Sequence, residues 1–170
     1  MLTEPALWVS ILAMTPLMLV AAYWDLKYLK IPNWVSLAVL AVFIVTGLWG
    51  LPLETFWWRL AIGAIVLVIM FVLFAVGAIG GGDAKLAAAL APFVVPTDIA
   101  TFLLIYIAVS FAMLLTLRLI MQVNRHEETG WLSVDQLTKP ARERVFPMGL
   151  IFGLTILIYM GWHALQVLQS

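Results

Sequence analysis

Cysteine is absent from the 170-residue chain, which excludes disulfides, thiolate zinc sites and cysteine nucleophiles and leaves the redox compartment undetermined. Only two histidines occur, His126 and His163, far apart in sequence, so no histidine metal cluster is expected and no metal or cofactor is assigned. Charge is scarce, at 11% of residues against about a quarter in a soluble domain. The net charge is zero, which removes any bulk attraction to nucleic acid or to an acidic surface. A basic opening is also missing. The chain starts Met-Leu-Thr-Glu-Pro, where a cleavable signal peptide would carry a basic stretch, so the first apolar run is expected to be a retained helix.

What is abundant is apolar sequence, 65% of the chain. Long uncharged runs alternate with short charged clusters, the pattern of a polytopic helical membrane protein. A soluble apolar bundle would need polar residues on the outward faces of these helices, and the runs supply none. The expectation is an all-α integral membrane protein, a single domain over 1–170. Helices are expected over about 5–24, 34–51, 60–80, 83–97, 99–121 and 146–168, with a hydrophilic loop over 122–145. The tryptophans, among them Trp24, Trp34, Trp57 and Trp58, fit interfacial belts against the lipid bilayer.

Loop charge decides whether the short run after Asp83 crosses. With six crossings, Lys27, Lys30, Lys85, Arg118, Arg125, Lys139, Arg142 and Arg144 all fall on one side and only Arg59 on the other. Positive-inside counting makes the crowded side cytoplasmic, with both termini outside. Without that crossing, the basic residues from Arg118 to Arg144 would lie outside. A helix over 83–97 is short, roughly 22 Å long at its helical rise, whereas the hydrocarbon core is roughly 30 Å thick. Asp83 is therefore expected to start below the cytoplasmic surface in a watery recess, or the bilayer to thin there. The alanines of "LAAALA" suit tight burial of this helix. The stretch from Arg118 to Arg144 reads equally as a solvated loop or as a surface amphipathic helix around Trp131, Leu132, Val134 and Leu137.

Only Asp25 and Asp83 are carboxylates at the junction of a cytoplasmic loop and a helix end. Glu4, Glu54 and Asp98 fall on the outer face, and Glu127, Glu128, Asp135 and Glu143 in the hydrophilic stretch. Each aspartate has a plain structural reading. Asp83 could cap the helix that follows it, and Asp25 could pair with Lys27 or Lys30. The pairing of the two on one face, one of them behind Gly80, Gly81 and Gly82, points further. The glycines remove every Cβ before Asp83 and allow positive φ and the close passage of an extended chain. Two facing carboxylates share one proton, so that the ionised one acts as a base on water while the protonated one polarises a carbonyl. Such chemistry requires neither metal nor thiol.

These residues resemble a family. "DLKYLKIPN" (Asp25 to Asn33) is similar to the aspartate and Ile-Pro-Asn element of prepilin peptidases. "GGGDAK" (Gly80 to Lys85) matches their Gly-x-Gly-Asp-x-Lys element, and "FPMG" (Phe146 to Gly149) resembles a Pro-x-Gly at the start of the last helix in small members. The resemblance implies an aspartic endopeptidase of the cytoplasmic (inner) membrane, with Asp25 and Asp83 as the catalytic pair. Its substrate would be a membrane-embedded prepilin, cut at its leader on the cytoplasmic side. Gly80, Gly81, Gly82, Lys85, Pro32 and Asn33 would support the site. Larger members also methylate the new N-terminus and carry paired cysteines, which this chain lacks. The resemblance is to the short form of tight-adherence (Flp-type) pilus systems, and archaeal preflagellin peptidases share the two-aspartate design. Two other classes remain open: a small proton-coupled transporter that relays protons through the same acids, and a noncatalytic membrane subunit of a pilus assembly machine. The oligomeric state is not set by the sequence.

Overall fold

The structure, a computed structural model, describes residues 2–28, 30–123 and 148–169. The expected loop from residue 124 onward, and Phe146 and Pro147 of the last motif, lie outside the described residues. The described residues form six α-helices: α1 (Glu4–Tyr28), α2 (Asn33–Gly50), α3 (Leu53–Ala75), α4 (Gly81–Leu90), α5 (Ile99–Val123) and α6 (Met148–Gln169). Among the described residues there is no strand. Five of the six, all but α4, are long and apolar enough to cross a membrane. The chain is a multi-pass membrane protein.

Several boundaries differ from the sequence expectation, each for a local reason. The first helix continues through Tyr28, so Asp25 lies inside α1 rather than in a loop. The third begins at Leu53, directly after Pro52, with Glu54 in its first turn, where a carboxylate complements the helix dipole. It ends at Ala75 rather than near 80. Gly77 has φ of 76°, its N–H bonds to Phe74 O, and the N–H of Ala78 reaches back to Leu73 O, which together close the helix in a Schellman turn. The helix expected over 83–97 is α4 alone, followed by 3-10 turns at Ala91–Phe93 and Pro96–Asp98. Pro92 and Pro96 lack an N–H and crowd the preceding turn, which weakens α-helical geometry at both points. At 1.5 Å per residue α4 is about 15 Å long.

α1 and α6 are antiparallel: Gly149 packs on Asp25 and Gly153 on Met18. α4 occupies the centre, against α2, α3 and α6. Its residues Leu86 and Leu90, with Phe93 beyond them, join Met14, Met18, Val39, Phe43, Ile156 and Tyr159 in the core. Phe43 stacks on Phe56 at 5.7 Å and meets Phe93 edge-on at 5.2 Å. Lipid is as apolar as these side chains, so close packing rather than the hydrophobic effect holds them together. Several hydroxyls bond within their own helix, as Ser10 to Ala6 O and Thr46 to Val42 O. The outer faces stay apolar and exposed, for example Leu104 and Phe111 on α5, as suits a lipid-facing surface.

Arg59, expected as a loop charge, is instead buried within α3, only 2% exposed. Its Nη1 donates to Pro92 O at 3.3 Å, fastening α3 to the break after α4. Nearby, Tyr159 accepts from Val95 N at 3.1 Å, and His163 Nε2 lies 3.2 Å from Asp98 Oδ2. The segment from Asp83 to Asp98 thus runs from the start of α6 to the level of His163. That is about 21 Å along α6 at 1.5 Å per residue.

Candidate active site

Four elements converge at one end of the bundle. They are the end of α1, the start of α2, the turn from α3 to α4, and the start of α6. They surround a cavity of about 680 Å³ lined by Asp25, Lys30, Asn33, residues 77–82, Asp83, Lys85 and Met148. Both sequence-predicted aspartates therefore face one space. Each is close enough for its charge to act on the other.

Asp25 is buried, and its Oδ2 accepts two backbone N–H bonds, from Gly149 at 2.7 Å and Leu150 at 3.3 Å. These are orphan donors of the first turn of α6, where a carboxylate is favoured by both hydrogen bonding and the helix dipole. A Cβ at residue 149 would lie 3.0 Å from Asp25 Oδ2 and 2.7 Å from Ile31 Cδ1, so the close approach requires glycine. Asp83 is the third residue of α4 rather than its N-cap. The N-cap is Gly80, and no side chain caps the helix. Among the described residues Asp83 accepts no hydrogen bond, and its carboxyl is open to the cavity.

The glycine run serves close packing, not positive φ: among the described glycines, only Gly77 has positive φ. Gly82 lies directly on Ile31, where an added Cβ would sit 3.2 Å from the Ile31 N and Cβ. Pro32 precedes α2 as its N-cap residue with extended geometry, turning the chain so that Asn33 opens the helix beside Lys85. Lys85 Nζ donates to Asn33 Oδ1 at 2.9 Å. The two sequence elements that carry the aspartates are thereby joined twice, through backbone contact at Gly82 and through this bond. Lys27 lies on the outer side of α1, bonded to the Tyr23 hydroxyl at 3.0 Å.

A family model described as the type IV leader peptidase family matches residues 12–117. The chain belongs to this family. No curated protein and no solved structure matches it. Membership implies a membrane-embedded peptidase acting on the leader of a prepilin. The matched part of the chain contains both aspartates and the glycine run. The N–H groups that hold Asp25 come from α6, beyond the matched residues. Sequence reasoning did not find that role for Gly149; the Pro-x-Gly at the start of the last helix was its one signal. It also missed the inward turn of Arg59, for which a lone arginine beside an apolar run gives no sign.

Proposed function

We propose that the protein is an aspartic endopeptidase of the cytoplasmic membrane that removes the leader of type IV, Flp-type prepilins at the cytoplasmic face, and that Asp25 and Asp83 are its catalytic pair. The observation that carries this reading is the cavity that both carboxyls line, at the mouth of the glycine-walled turn. In the reaction, Asp25 is the ionised member, because its Oδ2 accepts two amide hydrogens and has no need of a proton there. Asp83 carries the shared proton. Asp25 takes a proton from a water whose oxygen adds to the scissile carbonyl carbon, and Asp83 gives its proton to the carbonyl oxygen. The resulting diol collapses: Asp25 returns its proton to the departing amine nitrogen, the C–N bond breaks, and Asp83 recovers a proton from the diol. Water is consumed and no cofactor is needed.

Six crossings with both termini outside accord with the same reading. The Asp83–Asp98 segment spans the distance from Gly149 to His163 even though only part of it is α-helix, and the antiparallel packing of α1 on α6 puts Glu4 and Gln169 at the same end. Lys27, Lys30 and Lys85 are exposed at the end that holds the cavity, while Arg59 at the other end is buried and tied to Pro92 O. Burial removes the one exception to the positive-inside pattern. The whole chain, 1–170, then acts as one peptidase domain, with Gly80, Gly81, Gly82, Lys85, Pro32 and Asn33 shaping the site.

The test is incubation of the purified protein with a synthetic Flp-type precursor, followed by mass spectrometry of the products. Cleavage at the leader junction, lost in both Asp25→Asn and Asp83→Asn, is the expected result. Normal cleavage by either variant would overturn the assignment of the pair. An intact precursor with the unsubstituted chain would favour the transporter or the noncatalytic subunit.

A further inference from the structure

A second cavity, of about 510 Å³ and almost wholly apolar, opens between α3 and α5 with α4 as its floor. α3 packs on α4 and α5 packs on α6, but α3 and α5 form no substantial interface with each other. The cleft is therefore open sideways, toward the bilayer. Its walls include Val66 and Met70 from α3 and Leu103 and Tyr106 from α5, and its floor includes Ala87 and Ala91. Asp83 and Ala87, at i and i+4, share one face of α4, and Ala91, the C-cap residue whose N–H bonds to Ala87 O, continues that line. The floor of the cleft thus leads along that face to Asp83. Tyr106, on the wall, is near enough for the charge of Asp83 to act on it.

We infer that this cleft receives the apolar transmembrane helix of the precursor, bringing it in sideways between α3 and α5 so that its leader junction arrives at Asp83. The inference rests on the peptidase reading above and names where that substrate docks. A precursor anchored in lipid cannot approach from the aqueous side alone, because its helix must lie beside the enzyme at the depth of the cleft. Alanines at two successive turns of the floor allow a helix backbone to approach closely. The occupant is one helix, continuous with the site, rather than a loose acyl chain.

The chain has no cysteine, so single cysteines report position without background. In an Asp83→Asn chain, which holds substrate without turnover, Val66→Cys and Leu103→Cys are expected to cross-link to a cysteine in the precursor's apolar helix. Ile65→Cys and Leu104→Cys, exposed on the same helices but outside the cleft, are expected not to. Leu103→Trp should raise KM about tenfold for the full precursor and leave unchanged the cleavage of a short soluble peptide that spans the junction without the helix. Equal or absent cross-linking at all four positions overturns the inference. So does capture of a photoactivatable phospholipid at Val66 and Leu103, with the precursor present but not captured. If the unsubstituted chain fails to cut the precursor at all, the peptidase reading falls and the cleft assignment falls with it. If it cuts the precursor but the cleft positions stay silent, the cleft assignment alone falls.

Discussion

The backbone N–H of Gly149 donates to Oδ2 of Asp25 across 2.7 Å, tying the first turn of α6 to the end of α1. The bond spans most of the chain and fixes one carboxyl oxygen. It also gives the two aspartates unlike surroundings: one accepts helix N–H groups, the other is open to the cavity. Unlike surroundings are what let two like acids take different roles.

Gly149→Ala tests that bond. The new methyl would crowd both Ile31 and Asp25. Either α6 withdraws or the Asp25 carboxyl turns, and a displacement near 1 Å at a reacting group lowers turnover by about 10²-fold. The expected outcome is a kcat reduced to that extent with membrane insertion retained, read by precursor cleavage and by membrane fractionation.

The proposed catalytic pair implies a pH dependence. With one proton shared, adding a second proton neutralises the base, and removing the last one disarms the acid. Activity is expected to fall on both the acid and the alkaline side of a single maximum, the two limbs belonging to the pair rather than to either residue. Initial rates of precursor cleavage in detergent across the pH range check this. A rate that rises to a plateau without falling at alkaline pH would remove the proton donor from the mechanism.

How much of this could be read in the sequence depends on whether the cause was local. The apolar runs announce helices, and Asp25 and Asp83 stand out as the carboxylates at loop–helix junctions on one face, one of them behind a glycine run, in elements that resemble a known family. What escaped reading depends on partners distant in the chain. Arg59 looks like a loop charge until Pro92 O is seen beside it. Lys85 and Asn33 look like separate supports until they are found bonded to each other across 52 residues. The end of α3 was legible in principle, because Gly77 can adopt the positive φ that a Schellman turn needs, but the longer uncharged run through Gly82 obscured it.

Arg59 offers a stability prediction free of catalysis. Replacing it with alanine leaves the Pro92 carbonyl without that donor and removes a side chain buried between α3 and the break after α4. The expected loss is about 1–3 kcal/mol, seen as a lower melting temperature in detergent. Because the residue lies at the end of the bundle away from the cavity, cleavage by the folded fraction should persist. Complete loss of specific activity in protein that remains folded would place Arg59 in the reaction instead.

Lys85 and Asn33 call for a double-mutant cycle. The bond between them is exposed, so its net strength is about 0.5–1.5 kcal/mol, enough to hold the α2 start against α4 but not to decide folding. If Lys85 acts through Asn33, then Lys85→Ala, Asn33→Ala and the double variant lower cleavage to similar extents. The pair is then non-additive by about the strength of the bond. If Lys85 instead touches the substrate carbonyl, Lys85→Ala costs far more than Asn33→Ala, and the double variant resembles the lysine variant alone. Measuring kcat and KM for the three variants on one precursor separates the two outcomes, since a positioning bond lowers kcat whereas a lost substrate contact that is already made on binding raises KM.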